Sequence, residues 1–113
     1  MGEIIRKGNW QWDYSEGGDI LNVHKNRVKI HISEEVGPDI TIDYNTEGRI
    51  VGFEILHASE FLEKDGFTVK DLERIDDAKF EVVQNGAQIV LSLKAGKKEQ
   101  KVLIPTVLLE AQV

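Results

Sequence analysis

Cysteine is absent from all 113 residues, which removes disulfide frameworks, thiolate metal sites and cysteine nucleophiles from consideration. Proline occurs only twice, at Pro38 and Pro105, so no proline-rich linker divides the chain. Long apolar runs are missing too: "IVLSL" and "VLIPTVLL" fall far short of a membrane span. The start "MGEIIRKGNW" has no apolar signal-peptide core, and Arg6 stands where a myristoylation site wants Ser or Thr. These absences make the cytoplasm the expected compartment. Basic residues are in deficit, 14 against 20 acidic, for a net charge of −6. That balance disfavours long-range attraction to nucleic acid or an anionic membrane. Neither GxGxxG, a P-loop, GxSxG nor HExxH occurs.

What remains is an ordinary globular composition, 41% hydrophobic and 30% charged, with one internal near-repeat. "DYSEGGDILNV" at 13–23 returns thirty positions later as "DYNTEGRIVGF" at 43–53. Each copy reads as a β-hairpin with a four-residue loop closed by a left-handed glycine, Gly18 in the first and Gly48 in the second. This register pairs Tyr14 with Asp19 and Trp12 with Leu21 in the first copy. In the second it pairs Tyr44 with Arg49, Ile42 with Val51 and Ile40 with Phe53. Trp10, Trp12, Leu21, Val23, Ile40, Ile42, Tyr44, Val51, Phe53 and Ile55 then share one apolar face. A two-residue turn at Lys25-Asn26 would bring Val28, Ile30 and Ile32 onto that face. The expectation is a five-stranded antiparallel meander, with strands near 9–14, 19–24, 27–33, 39–44 and 49–56.

A short helical segment near 59–75 is expected to cover this face. Thr68 and Asp71 stand at capping-box spacing there, and Val69, Leu72 and Ile75 form one stripe. "KFEVVQ-NG-AQIVLSL" is the clearest hairpin signal, with Phe80, Val82, Ile89, Leu91 and Leu93 inward. "EQKVLI" adds a third strand. The chain is therefore read as one α+β, mostly antiparallel domain over 1–113. The hairpin repeat occupies 12–62, and a three-stranded C-terminal meander with an apolar tail occupies 78–113.

Over residues 12–62 the pattern resembles a small prokaryotic family, domain of unknown function 2283. The likeness is densest at Ile42-Asp43-Tyr44, at Gly48 to Leu56 ("GRIVGFEIL") and at Ala58-Ser59. Departures are Asn45 and His57, and "YSEGGD" in place of a frequent "YDPEAD". The resemblance implies a small, mostly-β cytoplasmic domain with no established activity, and an antitoxin-like partner-binding role.

Four groups of residues are candidates for chemistry. His24, Lys25, Arg27, Lys29 and His31 form a basic cluster on one hairpin. Its lysines lack a stacking aromatic, and Lys29 is placed beside Asp43, so a solvated cross-strand charge pattern explains the cluster better than nucleic-acid binding. Asp39 and Glu54 face one another near His57, the ingredients of a small metal or acid–base site at an exposed edge. Arg49 directly follows the second turn, and Gly52, placed opposite Thr41, points to close approach of another group over the wet face. The tail residues Val107, Leu108 and Leu109 form an apolar surface for a homodimer contact or a last core strand. The reading is a non-enzymatic protein-association module, without cofactor or metal. A small-ligand or metal-dependent enzyme and a nucleic-acid-associated regulator are the alternatives.

Overall fold

The computed structural model describes residues 3–106. They form nine strands and two single-turn helices: β1 (Ile5–Lys7), β2 (Trp10–Ser15), β3 (Ile20–Lys25), β4 (Ile32–Glu35), β5 (Ile40–Tyr44), β6 (Ile50–Leu56), α1 (Ala58–Phe61), α2 (Val69–Leu72), β7 (Asp77–Val83), β8 (Gln88–Ala95) and β9 (Lys98–Pro105). A six-stranded antiparallel sheet in the order β1-β2-β3-β6-β5-β4 faces a three-stranded sheet β7-β8-β9, and the helical segment lies between them in sequence. The expected class, mostly antiparallel β with short helices and a C-terminal three-stranded meander, is the one observed.

The strand order of the large sheet differs from a meander. Instead of turning back at Lys25-Asn26 to lie beside β3, the chain runs to the far edge as β4. The place beside β3 goes to β6, whose Ile50, Val51, Phe53 and Ile55 are all buried. A nearly continuous apolar strand gains most from a central position. The segment "NRVKIH" alternates charge with apolar residues and would carry Arg27 and Lys29 to mid-sheet. Arg27 instead adopts a left-handed backbone (φ 63°), which ends strand pairing there. Ile30 and Ile32 accordingly stay about half exposed and do not join the core.

Both hairpins pair two residues out of the expected register, in the same sense. Trp12 faces Val23 and Tyr14 faces Leu21 in the first; Ile42 faces Phe53 and Ile40 faces Ile55 in the second. A two-residue shift preserves the faces, so the apolar set is largely as expected. In the first turn the left-handed residue is Asp19 (φ 54°), and Gly18 does not take that conformation. The loop is thus Glu16–Asp19, one residue later than read. In the second, Gly48 is left-handed as expected (φ 78°), and the Asn45 side chain accepts from the Glu47 and Arg49 N–H groups. A β-bulge then sets Tyr44 opposite Ile50, which puts Ile50 in the core cluster.

The thirty-residue repeat is a repeat in space. Val23 and Phe53 are equivalent positions of the two copies, and they face each other across β3–β6. On either side Asn22 faces Glu54 while His24 faces Gly52, again equivalents exchanged. This pattern is that of a local twofold axis perpendicular to the sheet, carrying β2-β3 onto β5-β6 and edge β1 onto edge β4. β1 itself lies N-terminal to the expected meander; its signal was the two-residue turn Gly8-Asn9, with Gly8 left-handed (φ 61°).

Phe80 of β7 ties the two sheets together, meeting Trp10 edge-to-face at 4.8 Å and Phe53 at 5.5 Å. Such pairs contribute about 1 kcal/mol each beyond area burial. Ile89, Leu91, Leu93, Val102 and Ile104 complete the small sheet's side of one continuous core, and Leu62, Phe67, Leu72 and Ile75 of the helical segment close one flank. Thr68 and Asp71 form the expected capping box. The β7–β8 loop spans four residues rather than the two expected, with Gln84, Asn85 and Gly86 all left-handed, and Val82 beside it stays exposed.

Candidate functional site

Three places bring polar side chains together. The first is where the hairpin repeat meets α1. Asp19 accepts from the Tyr14 hydroxyl (2.6 Å), the Ser59 N–H (3.0 Å) and the Ser59 hydroxyl (2.7 Å), while its own carbonyl accepts from the Ala58 N–H (2.9 Å). A carboxylate from the first turn thus caps a helix forty residues away. Burial alone would raise the Asp19 carboxyl, but the Tyr14 and Ser59 hydrogen bonds outweigh it and hold the group below its ordinary range. Burial and the adjacent Asp19 push the Tyr14 hydroxyl in the opposite direction, upward. Both Asp19 carboxylate oxygens and the Tyr14 and Ser59 hydroxyl donors are thus engaged with one another.

The second is the polar face of the large sheet. Cross-strand pairing lines up Gln11, His24, Gly52, Asp43 and Ser33 in one row, and Asp13, Asn22, Glu54, Thr41 and Glu35 in the next. Glu54 is raised by partial burial and then by the charges of Asp43 and Asp13. Asp13 is raised by burial, partly offset by a hydrogen bond from Asn22. Four carboxylates, Asp13, Glu35, Asp43 and Glu54, therefore share one face, yet among the described residues no three His, Asp or Glu side chains are grouped to hold a metal ion. The His24 ring packs against Gly52: a Cβ there would sit 2.9 Å from the ring Cγ and 3.0 Å from the Val23 carbonyl oxygen. The expected close approach at Gly52 is the His24 imidazole. Its Nδ1 stands 2.6 Å from the Lys25 carbonyl, so Nδ1 carries the proton and donates, leaving a buried Nε2 without a partner.

The third is a cleft of about 460 Å³ at the end of the sandwich opposite α1, lined by Lys25, Tyr44, Gly48, Arg49, Ile50, Val82, Asn85 and Gly86. Lys25 and Arg49 both reach it, and among the described residues neither has a carboxylate partner. Burial, then the charge of Glu34, raises the Tyr44 hydroxyl. Chemically, the cleft offers two cations and a neutral phenol to an anion.

The sequence-derived candidates are dispersed. His24 lies over the polar face, Lys25 turns to the cleft, and Arg27, Lys29 and His31 fall in the exposed crossing to β4. No basic patch is assembled from them. Lys29 does not face Asp43; that carboxylate accepts from Ser33 (2.6 Å), because β4 rather than the crossing lies beside β5. Asp39 and Glu54 are apart, since Glu54 faces Thr41. Asp39 does meet His57 (3.1 Å), and its hydrogen bond and charge raise the imidazole, but the His57 side chain is largely exposed and that of Asp39 partly so. Val107, Leu108 and Leu109 lie outside the described residues. Asp19 was missed as a functional anchor, although the repeat displays it: where the second copy has Arg49, the first has an acid beside a turn. Lys25 and Arg49 line one cleft because β6 lies beside β3, a non-local pairing of which a local pattern holds no trace.

No helix among the described residues is long and apolar enough to cross a membrane. Neither a curated protein nor a solved structure matches the chain. Residues 12–59, from Trp12 in β2 to Ser59 in the Asp19-capped helix, match the model of a family described as a protein of unknown function (DUF2283), so the match spans both hairpins and the start of α1.

Proposed function

We propose that this chain is a non-enzymatic protein-association module that pairs with copies of itself, a homodimer being the smallest product. The observation that carries the reading is the state of the large sheet's two outer strands. Every residue of β1 and of β4 is exposed, and Ile5 (41%) and Ile32 (53%) leave apolar surface in water with Ile4 and Ile30 beside them. An unpaired strand edge carrying large apolar side chains is a template for another strand. The polar groups best placed for chemistry, Asp19 with Tyr14 and Ser59, are engaged in holding α1. Light scattering during size exclusion is expected to give a mass above the 12.8 kDa of one chain. A clean monomer at high micromolar concentration overturns the reading. Leu108→Asp with Leu109→Asp tests whether the tail contributes.

A second reading rests on the cleft. Lys25 and Arg49, without ion partners among the described residues, fit a small anionic ligand. Titration with inorganic phosphate, followed by the amide resonances of Gly48 and Gly86, tests it. Shifts abolished by Arg49→Met support a ligand-binding protein, and unmoved resonances dismiss phosphate as its occupant.

A further inference from the structure

The two edges that carry the association reading have opposite charge. β1 is Ile5-Arg6-Lys7, and β4 is Ile32-Ser33-Glu34-Glu35. We infer that β1 of one copy pairs with β4 of the next, extending the six-stranded sheet head to tail. The inference rests on the association reading and names its partner, a second copy, and its surface.

Direction, hydrogen bonding and facing all agree with this pairing. Six antiparallel strands are an even number, so a copy placed beyond β4 by translation presents β1 antiparallel to it and keeps the sandwich on one side of the extended sheet. The Asn26 N–H donates to the Asn9 carbonyl across β2–β3. By the alternation of antiparallel ladders, Ile5 and Lys7 then turn their backbone groups toward β2, and Arg6 turns its own outward. The Val36 N–H donates to the Ile40 carbonyl, so Ile32 and Glu34 face β5 while Ser33 and Glu35 turn outward. Arg6 opposite Glu35 is therefore a pair whose backbone groups are both free to bond.

That single choice fixes the rest. Lys7 falls opposite Glu34 and Ile5 opposite Val36. Ile5, Lys7 and Glu34 face the apolar side, opposite Trp12, Trp10 and Ile42, and Arg6 and Glu35 face the polar side. Both ion pairs come from one register, and each joins residues on the same face. The Lys7 ammonium already lies 3.4 Å from the Asp76 carbonyl, and it has two further donors for Glu34.

The same charges disfavour the symmetric alternatives. A twofold β4–β4 contact centred on Glu34 or Glu35 sets that carboxylate against its own copy, and a β1–β1 contact centred on Arg6 or Lys7 does the same with a cation. Charged edge strands ordinarily block all edge pairing; here each edge repels itself and attracts the other. A heterologous contact leaves one edge of each kind free at the ends, so a pair is the first product and an open series follows it. A three-residue strand makes few bonds, so the series is expected to grow only at high concentration.

Charge exchange tests this. Sedimentation velocity of the full chain is expected to give a mass that rises with concentration past two chains without a plateau. Arg6→Glu with Lys7→Glu is expected to be monomeric, and so is Glu34→Lys with Glu35→Lys. An equimolar mixture of the two variants is expected to recover association, because each edge again meets its opposite. Lys79→Glu with Lys101→Glu matches the first variant's net charge from the outer face of β7 and β9 and is expected to associate like the parent. Circular dichroism of each variant checks that the sheet persists. A stable mass that neither edge reversal changes overturns the edge pairing while leaving self-association standing. A monomeric parent overturns both. Two monomeric variants that stay monomeric when mixed overturn the pairing of β1 with β4.

Discussion

Gly52→Ala tests the polar face most directly, because the structure names what the new methyl would strike. The Cβ would lie 2.9 Å from Cγ of His24, closer still to Cδ2, and 3.0 Å from the Val23 carbonyl oxygen. In open space, exchanging glycine for alanine in a strand is favourable by about 0.4–1 kcal/mol, through the unfolded chain. Forcing a methyl into a filled site costs about 1–3 kcal/mol. The clash wins here, since the neighbours are a ring held by its Nδ1 hydrogen bond and a backbone carbonyl of the central strand pair. A net loss of about 1–2 kcal/mol is expected. Near the melting midpoint this corresponds to roughly 4–8 °C for a domain of this size.

The cause is separable from a general strand effect by a double-mutant cycle in urea. His24→Ala removes the ring that meets the methyl and leaves only the carbonyl contact, which lies in the tight range rather than the forbidden one. Gly52→Ala should then be nearly neutral in the His24→Ala background, a coupling of about 1–2 kcal/mol. Additive losses, or a Gly52→Ala protein as stable as the parent, would refute the reasoning and remove His24 as the reason for this glycine.

Asp19→Asn should lower stability by about 2 kcal/mol, because it weakens charge-assisted bonds from Tyr14 and Ser59 while tolerating the left-handed backbone; an unchanged urea midpoint would contradict the cap. The Asp19 carboxyl is lowered on folding, so its contribution is full above its unfolded value near 3.8 and is lost as pH falls through the lower folded value; the parent should lose stability faster than Asp19→Asn in that window. Asp71, held down to about 2 by Lys98 (2.7 Å) and Thr68, has the same sign, and Lys98→Met should move the titration midpoint of its carboxyl resonance up toward 3.8. Gly48→Ala should cost about 1 kcal/mol in melting experiments, since Gly48 is left-handed with open space around it. Asp43→Asn should cost less than about 1 kcal/mol, its partner being only the exposed Ser33 hydroxyl.

The local devices of this fold were legible because they are written in adjacent residues. The Thr68–Asp71 box, the left-handed Gly48 and the alternation of Trp10, Trp12, Leu21, Val23 and Phe53 follow from spacing alone. The shift of each register by two was not legible: faces are identical in either register, so the apolar pattern cannot choose between them. Nor did the pattern say which strand sits beside β3. Val28, Ile30 and Ile32 alternate as well as a central strand would, and only competition with the more apolar β6 decides the matter. The Asp39–His57 contact is only half legible: chain proximity brings His57 close, but the unshifted register sets Glu54, not the chain beyond it, opposite Asp39.

The local twofold axis explains why one repeat ends in a lock and the other in a cleft. Positions 19 and 49 are equivalent, thirty residues apart and at the same corner of each hairpin. After β6 the chain continues into α1, whose first N–H groups need an acceptor, and Asp19 lies beside them. After β3 the equivalent stretch is Asn26 to His31, which forms no helix and leaves for the far edge. Position 49 therefore has no helix start to serve. An acid there would find no helix N–H groups to accept from, and Arg49 instead lines an open cleft with Lys25. The duplicated hairpins supply the frame, and the two unlike connections that follow them make its ends chemically different. The edges follow the same logic: the axis carries β1 onto β4, and Arg6 and Glu35, the outward residues of those strands, differ in sign where a symmetric sheet would repeat one charge. A sheet with like edges could at most repel or attract its own copies symmetrically. One with unlike edges has a direction, and that direction is what a head-to-tail contact requires.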